Sequence, residues 1–79
     1  MKNEVTLYTR KNCPLCEEVK VWIDFLKDDY EMEFREKDIE EEDRLHEAYA
    51  LKIPVVIING KELVFPQLSE NEMRERLQE

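Results

Sequence analysis

The sequence predicts an α/β fold in the order β-α-β-α-β-β-α, a four-stranded mixed sheet flanked by three helices. Two observations carry the prediction. Short runs of strand formers alternate with stretches whose apolar residues recur at helical spacing. Between two late apolar runs stands Asn59-Gly60, the strongest two-residue hairpin signal. A length of 79 residues sets the scale: a single domain over 1–79 with one small core.

Residues 5–9 (Val-Thr-Leu-Tyr-Thr) are rich in strand formers and read as the first strand. Leu15, Val19, Trp22, Ile23 and Leu26 then fall at helical spacing, and Pro14 suits a first helical position, where its missing N–H is no loss. Residues 32–37 alternate, with Met32 and Phe34 inward and Glu33 and Arg35 outward, as in a second strand. Asp38 followed by Glu41 has the form of a capping box opening a second helix, with Leu45, Ala48 and Tyr49 inward.

Residues 55–58 form a continuous apolar strand, and 61–65 return after the Asn59-Gly60 turn. Ser69 and Glu72 make a second capping box, with Leu68 and Met73 placed as a hydrophobic staple; the last helix buries Met73 and Leu77. The first β-α-β unit implies parallel strands, and the hairpin adds two antiparallel ones. Trp22, Phe25, Phe34 and Phe65 are expected in the core, and Tyr8 is expected to pack.

Twenty acidic and twelve basic residues give a formal charge of −8. That balance excludes nucleic acid and anionic membrane surfaces as partners, since both need a basic footprint. The longest apolar run, 53–58, is too short to span a bilayer, and the first residues do not read as a signal segment. A cytoplasmic location is the resulting expectation. The acid run 40–43 reads as a solvated helix start favoured by the macrodipole, and the single histidine, His46, as a surface residue.

Function centres on Cys13-Pro14-Leu15-Cys16, which holds the only two cysteines. A disulfide closing so short a loop stabilises by roughly 2 kcal/mol on the chain-entropy formula, a weak reason for a structural staple. A structural zinc site takes four ligands, and this motif supplies two; a metal or iron–sulfur module therefore requires two chains to share their thiolates. A dithiol redox pair fits the placement best. Residues three apart on a helix bring their sulfurs within bonding reach. At the N-cap, Cys13 can accept hydrogen bonds from the Leu15 and Cys16 N–H groups, and the helix end, Arg10 and Lys11 favour a thiolate there. Cys16, inside the first turn, is less accessible. The asymmetry makes Cys13 the attacking thiol and Cys16 the resolving one. A catalytically silent interaction domain is a third reading.

With these elements in place, the chain resembles the glutaredoxin branch of the thioredoxin-like family, over nearly its whole length. The resemblance is carried by Cys13-Pro14-Leu15-Cys16 opening a helix after the first strand and by Ile53-Pro54 preceding the third. It implies a thioredoxin-like fold and a monomeric thiol–disulfide oxidoreductase that needs no cofactor in its own fold. It also implies a cis peptide bond before Pro54, which faces the cysteines, and pairing of the Ile53 backbone with an incoming peptide or glutathione. Arg10 stands where glutaredoxins commonly carry a lysine; Arg10, Pro14, Leu15, Ile53 and Pro54 are thus the expected substrate-binding residues. The expected partners are a disulfide-containing protein or small molecule and an external reductant, a thioredoxin-type reductase or glutathione. The chain departs from the family pattern at 63–68 (Leu-Val-Phe-Pro-Gln-Leu), where a Gly-Gly pair and an acidic segment usually hold glutathione. Leu51-Lys52 also replaces the usual polar residue and threonine before the proline.

Overall fold

Hydrophobic alternation and helical spacing resolve into the expected order of elements. The structure, a computed structural model, describes residues 2–77. Strand β1 (Asn3–Thr9) leads into helix α1 (Pro14–Asp29), then strand β2 (Met32–Asp38). A 3-10 turn (Ile39–Glu41) and helix α2 (Asp43–Tyr49) follow. Strands β3 (Val55–Ile58) and β4 (Lys61–Leu63) form the hairpin, and helix α3 (Glu70–Arg76) closes the described chain. The strand order in the sheet is β2-β1-β3-β4. β1 and β2 run parallel, and both β1–β3 and β3–β4 are antiparallel. None of the helices among the described residues is long and apolar enough to cross a membrane.

Alternation along β1 sends Val5 and Leu7 to one face, where they pair with Ile58 and Val56 of β3. On that face α1 contributes Val19, Ile23 and Leu26, while Leu68, Met73 and Leu77 close the core from the C-terminal side. Met32, Phe34 and Trp22 pack against this cluster half-buried, as their spacing predicts. The opposite face carries Tyr8, stacked on Tyr49 of α2 with ring centroids 4.7 Å apart.

The hairpin follows the Asn59-Gly60 signal closely. Ile58 pairs with Lys61 across a two-residue loop in which both Asn59 (φ 50°) and Gly60 (φ 86°) have positive φ. That combination is what a type I′ turn requires. Asn59 also ties the hairpin to β1: its backbone N–H donates to Glu4 O, and its Oδ1 accepts from Glu4 N–H, both at 2.9 Å. Its Nδ2 donates to Asn3 Oδ1 at 2.9 Å. Asn3, only 2% exposed, in turn donates from Nδ2 to the Glu31 carbonyl at 2.9 Å. These bonds explain why β1 begins at Asn3, two residues earlier than its apolar content suggests.

The capping signals divide. Ser69 caps α3 by accepting from the Glu72 N–H at 3.1 Å, and Leu68 and Met73 are both buried, as a staple requires. The Glu72 carboxylate, however, turns to Arg76 one helical turn on. Asp38 accepts from the Glu40 N–H and caps the 3-10 turn instead of an α-helix. That turn inserts because Ile39 must be fully buried, so α2 starts only at Asp43 and has no buried residue; Ala48 is exposed.

Two aromatic expectations need correction. Phe25 is 62% exposed and Phe65 43% exposed. Phe25 lies off the Val19–Ile23–Leu26 stripe, and β4 ends at Leu63, before Phe65 reaches the sheet.

Candidate active site

Local chain geometry places the two cysteines. After β1 the chain turns through Asn12 at φ 58°, a left-handed conformation that asparagine tolerates better than most residues. It then enters α1 with Cys13 as the N-cap in extended conformation and Pro14 in the first turn. The Cys13 Sγ accepts a hydrogen bond from the Cys16 N–H at 3.1 Å. Of the two donors expected from sequence, the structure shows this one, at the third helical position. Cys13 and Cys16 are joined as a disulfide, with Cα atoms 5.2 Å apart. Cys13 is half-buried and reachable, whereas Cys16 is 1% exposed. The asymmetry inferred from sequence is therefore present in the burial.

An open hollow of about 580 Å³ lies in front of Cys13. Arg10, Pro14, Leu15 and Ile53, all anticipated from sequence, line it. Leu15 is 47% exposed and forms part of this rim, although its spacing also matches the core stripe. Cys16 and Pro54 are buried and do not line the hollow. The Ile53–Pro54 bond is cis, as the resemblance implies, and so is Phe65–Pro66, which the sequence reading does not anticipate.

Sequence reasoning missed three further lining residues, Lys11, Asn12 and Glu40. By sequence alone Lys11 is a basic neighbour of Cys13, and Glu40 belongs to a solvated helix start. Burial of Ile39 and the Asp38 cap fix the turn that carries Glu40 to the rim. Asp38-Ile39-Glu40, a capping residue before an isolated apolar one, was the available signal. The 63–68 stretch contributes no residue to the hollow.

Ile53 differs in one respect from the expectation that its backbone pairs with a substrate. Its N–H donates to the Tyr49 carbonyl at 3.1 Å, so that donor is already engaged.

A second, polar hollow of about 290 Å³ shares Arg10 and Lys11 with the first. On its walls the Lys20 ammonium lies 2.7 Å from Glu36 Oε2 and 3.3 Å from Glu17 Oε1. The Thr9 hydroxyl, on a residue only 5% exposed, donates to the same Glu36 oxygen at 3.4 Å. Among the described residues no group of three or more His, Cys, Asp or Glu side chains could hold a metal ion, and His46 is exposed on α2.

A four-stranded mixed sheet with three helices and a Cys-x-x-Cys pair at the start of α1 define a thioredoxin-like protein with redox-type function. A family model described as a glutaredoxin-like domain (DUF836) matches residues 4–78, and the chain belongs to that family. Solved structures share the fold. One is a structural-genomics target protein from X. campestris, 28% identical, covering 90% of this chain and 91% of that one, with a TM-score of 0.74. Another, a protein from Nitrosomonas europaea, is 24% identical over 99% of this chain and 94% of its own, with a TM-score of 0.81. A mutant thioredoxin from Halobacterium salinarum is 16% identical over 94% of this chain and 70% of its own, with a TM-score of 0.72.

Proposed function

We propose that the protein is a thiol–disulfide oxidoreductase that reduces accessible disulfides through Cys13 and Cys16. The observation that carries this reading is the asymmetric pair at the helix start: Cys13 caps α1 and borders an open hollow, while its partner Cys16 is buried in the first turn. An N-cap sulfur that accepts a backbone N–H bond is stabilised as a thiolate, which is the nucleophilic form. Cys13 attacks a substrate sulfur, giving a mixed disulfide and releasing one substrate thiolate. Cys16 then attacks Cys13 and releases the second, and an external reductant restores the dithiol.

Arg10, Pro14, Leu15 and Ile53 receive the substrate in this proposal, and the buried Pro54 supports Ile53 from behind the hollow. Pro14 and Leu15 offer an apolar edge beside the sulfur, and Arg10 a positive charge. Because the Ile53 N–H is engaged by Tyr49, an extended peptide pairs through the Ile53 carbonyl. A protein disulfide is the preferred substrate and a thioredoxin-type reductase the preferred donor, since 63–68 lacks the glycines that allow close backbone approach to glutathione.

The test is reduction of an accessible protein disulfide by the purified chain with a dithiol as electron source. Wild type should accelerate the reaction, and Cys13→Ser should abolish the acceleration. Equal rates with and without the wild-type protein would refute the reading.

A further inference from the structure

The second step of the proposed cycle, on which this inference rests, places a demand on Cys16. Its thiol must lose a proton before it can attack, yet at 1% exposure burial disfavours the thiolate. A positive charge held near Cys16 offsets that penalty.

Lys20 supplies one. It stands one helical turn after Cys16, and helical side chains lean toward the N-terminus, over the preceding turn. Its 3.3 Å contact with Glu17 shows that the side chain reaches back along the helix. Glu36 of β2 holds the ammonium at 2.7 Å, tying α1 to the sheet. The other charged groups on this side are Arg10 and Lys11 of the loop after β1, Asp38 of β2 and Glu41 of the 3-10 turn. Arg10 and Lys11 are exposed side chains, whereas Lys20 is tied to both α1 and β2. Hydrogen bonding to Glu36 holds the Lys20 ammonium above the ordinary lysine pKa, so it remains charged while thiols titrate.

We propose that Lys20 is a positioning residue for the resolving step, its ammonium held by Glu36 where it stabilises the Cys16 thiolate. In that step the Cys16 thiol gives its proton to solvent and the thiolate attacks the Cys13 sulfur of the mixed disulfide. The Cys13–Cys16 bond forms as the Cys13–substrate bond breaks, and the substrate sulfur leaves as a thiolate that takes a proton from water. Over the cycle two electrons pass from the dithiol to the substrate disulfide.

The test titrates Cys16 alone, in a Cys13→Ser background, following both thiolate ultraviolet absorbance and alkylation rate against pH. It needs neither substrate nor turnover, so it can be read whether or not the protein reduces disulfides. Lys20→Gln should move the Cys16 midpoint up by about half a pH unit, roughly threefold in thiolate fraction at a fixed pH, the size expected of a partly screened charge. Glu36→Gln should move it down, and Lys20→Arg should leave it in place. Opposite shifts are the signature of an electrostatic role. Shifts in the same direction, or none in either variant, overturn the proposal, because loss of a merely structural ion pair affects both variants alike.

Discussion

Substitution of Asn59 separates two contributions to the stability of the β3–β4 hairpin. Asn59→Gly keeps the freedom to adopt φ 50° but removes the side-chain bonds to Glu4 N–H and Asn3 Oδ1, both 2.9 Å. At about 1 kcal/mol net per bond the loss is about 2 kcal/mol; the 3.5 Å contact with the Arg76 carbonyl is too long to add much. Asn59→Ala loses the same bonds and also forces a Cβ-bearing residue without a local polar partner into the left-handed region, about 1 kcal/mol more. A chain of 79 residues has a total stability of roughly 4–12 kcal/mol, so about 3 kcal/mol is a substantial fraction. At roughly 4–8 °C per kcal/mol, thermal unfolding followed by circular dichroism should show Tm falling by about 8–16 °C for the glycine variant, and by several degrees more for alanine. An alanine variant as stable as the glycine one would refute the conformational argument. A glycine variant as stable as wild type would refute the hydrogen-bond argument.

Burial sets a second contrast. Phe25→Ser should change stability by no more than about 0.5 kcal/mol in urea unfolding, because Phe25 is 62% exposed. The adjacent Leu26→Ala, at a fully buried position, should cost about 2–5 kcal/mol. A third prediction concerns alkaline pH. Burial first, then the Glu62 carboxylate and Tyr8, push the Tyr49 hydroxyl above the usual tyrosine value. The folded state thus favours neutral Tyr49; its contribution is complete below pH about 10 and is lost as pH rises through the elevated folded value. Tyr49→Phe should accordingly lose less stability than wild type between neutral pH and pH values above that range. Glutathione as sole reductant should support only slow turnover, with the dithiol potential between roughly −200 and −270 mV, the span from glutaredoxins to thioredoxin, as measured by equilibration in redox buffers.

Much of this could be read from the chain because local and long-range signals agree. Pro14 after an N-cap cysteine, Asn59-Gly60 between apolar runs, and Ser69 ahead of Met73 each specify one conformation, and the tertiary structure adopts it. The failures occur where packing overrides local form. Asp38 and Glu41 satisfy a capping-box pattern, but burial of Ile39 turns the chain into a 3-10 turn first. Phe25 and Phe65 are large and apolar, yet neither lies on a face that the sheet covers. At the site, Arg10, Cys13 and Leu15 cluster in sequence, and Ile53 joins them through the β1–β3 pairing. Glu40 and the Lys20–Glu36 pair were not evident, because each depends on the relative placement of β2 and α1, which spacing within one element does not reveal.

The division of labour between the two cysteines is tested most directly by trapping. Incubated with an accessible protein disulfide, the reduced Cys16→Ala variant should accumulate a one-to-one mixed disulfide, and mass spectrometry of its peptides should place the linkage on Cys13. The Cys13→Ser variant should trap little, since its remaining thiol is buried. Efficient trapping through Cys16 in the Cys13→Ser variant, with none through Cys13, would contradict the assignment of Cys13 as the attacking thiol.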